Sequence, residues 1–77
     1  MKLDILTPEK SLFSGEATAV QFPGSDGLFQ VLNHHAPMIA TLIQGTIVIQ
    51  TSTGSERIAI KGGVVEVAHN TLSVLAH

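Results

Sequence analysis

Histidine is the residue type in this chain best suited to chemistry, because its ring can bind metals and can exchange a proton near neutral pH. Four histidines occur among 77 residues, at positions 34, 35, 69 and 77. Adjacent residues of a strand point to opposite faces, so His34 and His35 are poorly placed to bind one ion together. No cysteine is present, and no acidic residue stands at a ligand spacing that would complete a site. A His-ligated metal protein is therefore kept only as a less favoured alternative.

The serines and glycines form no catalytic pattern. No serine lies in the Gly-x-Ser-x-Gly turn of a hydrolase, and no pair of carboxylates is marked for acid–base chemistry. Gly62-Gly63 lacks the lysine and the helix that follow the glycines of a phosphate loop, so it predicts a hairpin or a bulge. We expect a chain that is not an enzyme, with no catalytic residue, no cofactor and no bound metal.

Composition points to a protein partner. Hydrophobic residues make up 44% of the chain and charged residues only 13%, so we expect part of the apolar surface to be covered by another protein. The net charge is −2 and the four basic side chains are scattered, which argues against nucleic acid. The absence of Trp and Tyr weakens, without removing, the alternative of a small β-sandwich that binds a ligand such as carbohydrate. The apolar runs are far shorter than the roughly 20 residues of a membrane span, and we expect a soluble chain without an export signal.

The elements that must position any site are strands, because apolar residues recur every second position. Five segments have the composition of turns or loops, and the two glycines of one of them, Pro23-Gly24-Ser25-Asp26-Gly27, can take positive φ. The other four are Phe13-Ser14-Gly15, residues 33–37, residues 52–55 and His69-Asn70. Such turn signals, about eight to twelve residues apart, predict an all-β fold, an antiparallel sandwich or flattened barrel of about eight to ten short strands. The predicted strands are residues 2–7, 16–22, 28–32, 38–43, 46–51, 56–61, 64–68 and 71–75.

One face of each predicted strand should build the core. Ile47 and Ile49 share a face, as do Leu72 and Val74, and each pair alternates with outward positions. The three phenylalanines are also interpreted as core side chains, since they are too few for a base-stacking surface. The whole chain, residues 1–77, is predicted to be one domain.

A set of short motifs in a fixed order carries a family resemblance. The motifs are Leu3-Asp4-Ile5-Leu6-Thr7-Pro8, Phe13-Ser14-Gly15-Glu16, Pro23-Gly24-Ser25-Asp26-Gly27, His35-Ala36-Pro37-Met38, Gly45, Gly62-Gly63-Val64-Val65-Glu66-Val67 and Thr71-Leu72-Ser73-Val74-Leu75. Together they resemble the N-terminal sandwich domain of the epsilon subunit of F-type ATP synthases. The resemblance implies a non-catalytic rotor subunit of the central stalk. Such a domain packs against the gamma subunit, rests on the polar loops of the c-ring and helps couple ion translocation to ATP synthesis. It would lie at the cytoplasmic face of a bacterial inner membrane, as a peripheral part of the complex.

The resemblance also implies two contact regions. The family's glycine-rich loop, which approaches the c-ring, corresponds to Gly24, Ser25, Asp26, Gly27 and Leu28. Members often carry a carboxylate where this chain has Leu28, so the charged contact is assigned to Asp26; the alternative is a turn residue that bonds its own backbone. The gamma-interface is assigned to Thr7, His35, Ala36 and Met38. For His35 the alternative is a partly buried loop residue that is satisfied by the backbone.

Most members of that family continue beyond the last strand into an α-helical hairpin that can restrain ATP hydrolysis. This sequence ends at Ala76-His77. The resemblance therefore implies a molecule without hairpin-type inhibition, whether the short form is natural or the result of truncation.

Overall fold

The computed structural model describes residues 1–77, and all of its regular structure is β-strand. This confirms the predicted fold class and the predicted number of strands. No helix long and apolar enough to cross a bilayer is found. The nine strands are β1 (Lys2–Leu6), β2 (Ser11–Glu16), β3 (Ala19–Gly24), β4 (Gly27–Leu32), β5 (Met38–Leu42), β6 (Gly45–Thr51), β7 (Gly54–Ile60), β8 (Gly63–Ala68) and β9 (Thr71–Ala76).

The strands form two layers that join at one corner. One layer has the order β2-β1-β9-β8-β5 and the other β4-β3-β6-β7, with β1 and β9 the one parallel pair. The layers meet where Leu42 at the end of β5 pairs with Gly24 at the end of β3. Just beyond, the Ile43 amide donates to the Pro23 carbonyl at 2.9 Å. β5 and β6 therefore run on from one layer to the other and nearly close the sandwich into a barrel.

The core follows the two-residue periodicity of the strands. Ile47 and Ile49, and likewise Leu72 and Val74, are buried as predicted. The Phe22 ring is fully buried and stacks on Phe29 with 5.4 Å between ring centroids. The buried hydrophobic residues are Met1, Leu3, Ile5, Ala17, Val20, Phe22, Val31, Leu42, Ile47, Ile49, Ile60, Val65, Val67, Leu72, Val74 and Ala76. No polar or charged side chain is buried, so the interior holds no group that could do chemistry.

The predicted turn at Phe13-Ser14-Gly15 is wrong, because these residues lie in β2 and pair with β1. The Ser14 hydroxyl donates to the Asp4 carboxylate at 2.6 Å across this pair. Gly15 has no positive φ, and it lies opposite Leu3 as an ordinary strand residue. A glycine lowers strand propensity, but pairing with a neighbouring strand overrides that local preference.

The prediction of one strand over residues 16–22 is also wrong. The chain leaves β2 after Glu16 and enters β3 at Ala19. Between them, the Ala17 amide donates to the Met1 carbonyl at 2.9 Å and the Thr18 amide to the Gln50 carbonyl at 2.8 Å. Those two bonds reach opposite layers of the sandwich, so this segment is a crossing between layers.

The loop predicted over residues 23–27 is shorter than expected. Pro23 and Gly24 are buried within β3, and only Ser25 and Asp26 form the turn to β4. Pro23 is tolerated because its missing N–H would face away from β4, on the side where its carbonyl accepts from Ile43. Of the two glycines in this segment, only Gly27 adopts a positive φ, at 119°.

The β8–β9 turn forms as predicted, with left-handed backbone at His69 (φ 52°) and Asn70 (φ 57°). Two such residues in succession make the turn that matches the twist of a hairpin. The Asn70 side-chain oxygen also accepts the His34 amide at 2.7 Å. The turn therefore anchors the loop between β4 and β5.

Substitutions at Asn70 separate the effect of the left-handed backbone on stability from that of the hydrogen bond to His34. We expect Asn70→Ala to lower the free energy of unfolding by about 2 kcal/mol, from left-handed strain and a lost hydrogen bond. Asn70→Gly tolerates the backbone and loses only the bond, so its cost should be about 1 kcal/mol. Urea unfolding of both variants measures the difference. Equal losses in the two variants would show that backbone strain contributes nothing here.

Candidate functional site: two adjoining depressions beside β5

The β3–β4 hairpin ends in a turn that is tied to β5. The Ser25 amide donates to the Thr41 carbonyl at 2.9 Å. A side chain at Gly24 would lie 2.7 Å from the Gly27 carbonyl oxygen and 2.8 Å from the Phe29 ring, so this position has room only for glycine. The hairpin tip is therefore held in place by packing and by a backbone bond.

A depression of about 470 Å³, the hairpin notch, separates this tip from β5. Asp26 is its one charged residue, and the carboxylate makes neither a hydrogen bond nor an ion pair. The alternative in which Asp26 bonds its own backbone thus has no bond to support it. Exposed apolar side chains line the same notch, since Leu28 is 71% and Ile39 72% exposed. The lining residues are Gly24, Ser25, Asp26, Gly27, Leu28, Phe29, Met38, Ile39, Ala40 and Thr41.

A second depression of about 590 Å³, the apolar groove, adjoins the notch at Thr41, which lines both. Its floor is a row of exposed side chains on three neighbouring strands, because Leu75 pairs with Leu6 on one side and with Val64 on the other. The full lining is Leu6, Thr7, Pro8, Thr41, Leu42, Gly63, Val64, Leu75, Ala76 and His77.

The outer face that carries this groove is apolar at one end of the strands and polar further along them. One step of two residues away from the apolar row, Asp4 pairs with Ser73, and Ser73 pairs with Glu66. That row is the solvated surface expected of an outward face. The apolar row therefore breaks the alternation at the end of the sheet where the hairpin tip lies. The exposed Ile39, which pairs with Glu66, adds one apolar side chain to the otherwise polar row.

The loop of residues 33–37 lies at the opposite end of β5. His34 has a left-handed backbone (φ 63°), and the loop is held there by the bond from its amide to Asn70. The Nδ1 atom of His35 lies 2.7 Å from the Ala36 carbonyl oxygen, and both residues are exposed. This contact supports the alternative of a loop residue satisfied by the backbone, but the partial burial expected in that alternative is wrong, because His35 is exposed.

The structure brings some of the sequence-assigned contact residues together and separates others. All five residues assigned to the c-ring, 24–28, line the hairpin notch, and Met38 joins them. Thr7 lines the adjoining groove. His35 and Ala36 lie at the other end of β5. Met38 is half-buried and packs against the core, so it serves the fold as well as the surface.

Sequence reasoning missed Leu6, Ile39, Val64 and Leu75 as surface residues of a candidate site. Each occupies the outward position of its strand, where the alternation predicts a polar side chain. Apolar residues at outward positions are a readable signal on a single strand. Their clustering could not be predicted from the sequence, because it depends on which strands are neighbours.

The histidines do not gather into a metal centre. His34 and His35 are exposed in the loop before β5, His69 is in the β8–β9 turn, and His77 follows β9. No group of three or more His, Asp or Glu side chains is close enough to hold a metal ion.

Comparison with known sequences gives a uniform result. The family model described as ATP synthase, Delta/Epsilon chain, beta-sandwich domain matches residues 1–77. An ATP synthase epsilon chain from Chlorobium limicola is 48% identical over 75 residues, which cover 96% of this chain and 85% of the relative. The epsilon chain from Leptospira borgpetersenii serovar Hardjo-bovis (strain JB197) is 39% identical, and the match covers 97% of this chain and 59% of the relative. The epsilon chain from Bradyrhizobium sp. (strain ORS 278) is 41% identical, and the match covers 95% of this chain and 54% of the relative.

Comparison with solved structures supports the fold. A chain of the Tetrahymena thermophila mitochondrial ATP synthase central stalk and c-ring structure superposes with a TM-score of 0.82 at 17% identity, covering 97% of this chain and 61% of the other. A chain of the Euglena gracilis mitochondrial ATP synthase structure, which includes OSCP, F1 and the c-ring, gives a TM-score of 0.88 at 18% identity, with coverages of 96% and 48%.

Proposed function

This chain belongs to the family of ATP synthase epsilon chains, and from that premise we propose that it is a rotor subunit of the central stalk, linking the gamma subunit to the c-ring. Epsilon chains are non-catalytic subunits, so the chemistry of ATP synthesis resides in other subunits. The role of this chain would be to hold two moving partners in a fixed relation and so to help couple ion translocation to synthesis.

One observation supports the proposal above others. Seven large hydrophobic side chains are exposed, and five of them line the hairpin notch or the apolar groove: Leu6, Leu28, Ile39, Val64 and Leu75. Scattered exposed apolar residues are normal, whereas a contiguous patch marks a contact surface. Permanent interfaces resemble a divided core, which is the composition this surface has.

The hairpin tip would meet the c-ring through Gly24, Ser25, Asp26, Gly27 and Leu28. Two features suit this role. The unpaired Asp26 carboxylate offers a charged contact to a basic side chain, which sets register more than raw affinity. The bond from the tip to Thr41 also keeps the turn from bending under load.

The gamma subunit would lie along β5. Thr7 is near one end of this strand, His35 and Ala36 are near the other, and Met38 is on the strand itself. A partner that contacts all four must cover that length of the sandwich, including Ile39. In the assembled enzyme the chain would be a peripheral part of the complex at the cytoplasmic face of a bacterial inner membrane.

The test is co-purification of this chain with the gamma subunit of its own synthase, and with a purified c-ring in parallel. Retention of both partners is the expected result. A chain that binds neither while remaining folded by circular dichroism is not a rotor subunit. Metal analysis of the purified chain tests the histidine alternative directly, since stoichiometric metal would replace the present proposal.

A substitution in the proposed gamma-interface gives a sharper result. Met38→Asp should abolish gamma binding, but Met38 also packs against the core, so a loss of fold would give the same outcome. Ile39→Asp avoids this ambiguity because its side chain is 72% exposed. We expect Ile39→Asp to weaken gamma binding by about 30-fold, the effect of about 2 kcal/mol at an interface hot spot.

Binding can be measured by titration of the gamma subunit against the labelled chain. Ser55→Asp is the matched control, since Ser55 is exposed on β7, far along the sheet from β5. Its affinity should equal that of the wild type. If Ile39→Asp binds as well as Ser55→Asp, the gamma subunit does not cover β5.

A further inference from the structure

The edge of β4 is open and unprotected. β4 pairs only with β3, so its other side has no strand beside it. Its sequence, Gly-Leu-Phe-Gln-Val-Leu, contains no charge and no proline. Such an edge is a template for another strand, and proteins usually block it.

Two other free edges of the sheet carry such blocks. β7 ends the same layer and presents Glu56 and Arg57. β2 ends the opposite layer, carries Glu16 and pairs with β1 through an irregular register at Leu6. Charges and bulges are the common means of discouraging edge pairing. β5 also lacks a neighbouring strand on one side, except where Leu42 pairs with Gly24. β4 is therefore the uncharged edge that has no neighbouring strand along its whole length.

The register shows which backbone groups of β4 are free. Gly24 and Gly27 flank a two-residue turn and bond to each other, so Gly27, Phe29 and Val31 direct their N–H and C=O groups toward β3. The intervening residues direct theirs outward. The N–H and C=O of Leu28 and Gln30 make no bond within the chain, and Leu32 uses only its carbonyl, which accepts from the His35 amide at 3.2 Å.

We propose that an extended segment of a neighbouring synthase subunit pairs with β4 and adds a strand to this layer, an inference that rests on the proposed function. Free backbone donors and acceptors in a row are satisfied by another backbone, which favours an extended segment over a helix or a small molecule. The exposed Leu28 and Leu32 side chains give the added strand apolar neighbours on the outer face.

Charge further defines the segment. Asp26 lies at one end of β4 and its carboxylate has no partner in the chain, while β4 itself is uncharged. The complementary segment is therefore uncharged over about four residues and carries lysine or arginine at the end beside Asp26. A second copy of this chain is the competing occupant, because one β4 edge could also pair with another.

The substitution Gln30→Pro tests the proposal. Gln30→Pro removes an N–H that makes no bond in the chain, so the fold should survive while strand addition is blocked. Arg57→Pro is the matched control, since the two-residue turn after Thr51 places the Arg57 N–H on the outer edge of β7. Each variant is titrated against the synthase complex that lacks its epsilon chain. Gln30→Pro should bind at least 10-fold more weakly than wild type, and Arg57→Pro within twofold.

Hydrogen exchange of the wild-type chain gives a second measurement that needs no variant. The Leu28 and Gln30 amides should exchange at least 10-fold more slowly in the assembled complex than in the free chain. Unchanged exchange at both amides, or wild-type affinity of Gln30→Pro, overturns the inference and leaves the proposed function intact. Failure of the wild-type chain to bind at all overturns both. A wild-type dimer that Gln30→Pro converts to monomer would make a second copy the occupant and reject a synthase segment.

Discussion

Gly63→Ala should remove a large part of the stability of this domain. Gly63 begins β8 with φ at 152°, a conformation that side chains rarely adopt. An added Cβ would overlap the Leu75 carbonyl oxygen and come within 3.0 Å of the Ala76 Cα. Both neighbours are backbone atoms of β9, which is held between β1 and β8. They cannot move without breaking ladder bonds, so we expect a loss of about 3–5 kcal/mol from strain and overpacking combined.

That loss is large for a chain of this length, whose whole stability is on the order of 4–12 kcal/mol. Urea unfolding followed by circular dichroism measures it. Gly15→Ala is the control: Gly15 has no positive φ, and its nearest obstacle is the Phe13 ring at 3.6 Å. The control should change the free energy of unfolding by less than about 1 kcal/mol. If Gly63→Ala lowers the free energy of unfolding as little as Gly15→Ala does, the backbone around Gly63 has more room for a side chain than the structure shows.

Removal of the Phe22 ring should have an effect of similar size. Phe22 is the largest fully buried side chain, and its ring stacks on that of Phe29, the residue it pairs with in the β3–β4 hairpin. We expect Phe22→Ala to lower the free energy of unfolding by about 3–5 kcal/mol, since few neighbours can close the cavity. Phe22→Leu keeps most of the volume and should cost about 1–2 kcal/mol.

Leu28 provides the contrast on the same hairpin. Its side chain is 71% exposed, so Leu28→Ala should leave stability within about 0.5 kcal/mol of wild type. In the proposed function it should nevertheless weaken the contact with the c-ring. Thermal unfolding and c-ring binding, measured on Phe22→Ala and Leu28→Ala together, would separate the residues that build the sandwich from those that serve its partners. Destabilisation of the free chain by Leu28→Ala would place that side chain in the core.

This division explains how a small domain can show so much apolar surface. The interior is filled by alternating strand residues, and no polar side chain is buried in it. Most of the exposed large hydrophobic side chains lie on the outer face beside β5 and on β4, where they contribute little to the stability of the free chain. The high hydrophobic content of the sequence is thus divided between a core and a surface suited to partners.

Alternation was enough to predict the second half of the fold. The hairpins β6–β7 and β8–β9 lie where local periodicity and turn residues placed them, within about two residues at the ends, because both depend on contacts between neighbours in sequence. The first half was harder. Phe13-Ser14-Gly15 has the composition of a turn, yet pairing with β1 makes it a strand.

The candidate site was predictable only in part. The resemblance assigned residues 24–28 to one contact region, and the structure does gather them at the hairpin tip with Met38. It assigned Thr7 and His35 to a common partner, and the structure separates them by the length of β5. The order of motifs along the chain contains no information on distances in the folded structure, so it could not show which residues share a surface.

By itself the sequence determined the all-β class, the buried alternation of the later strands and the family. Those properties follow from local side-chain pattern and from motif order. Only the tertiary structure decided that Leu6, Val64 and Leu75 form one row, because that row depends on β9 lying between β1 and β8. It also decided that β4 keeps a free edge. The physical reason is the same for both: which strands become neighbours is set by the packing of the whole core, over separations along the chain that no local pattern spans.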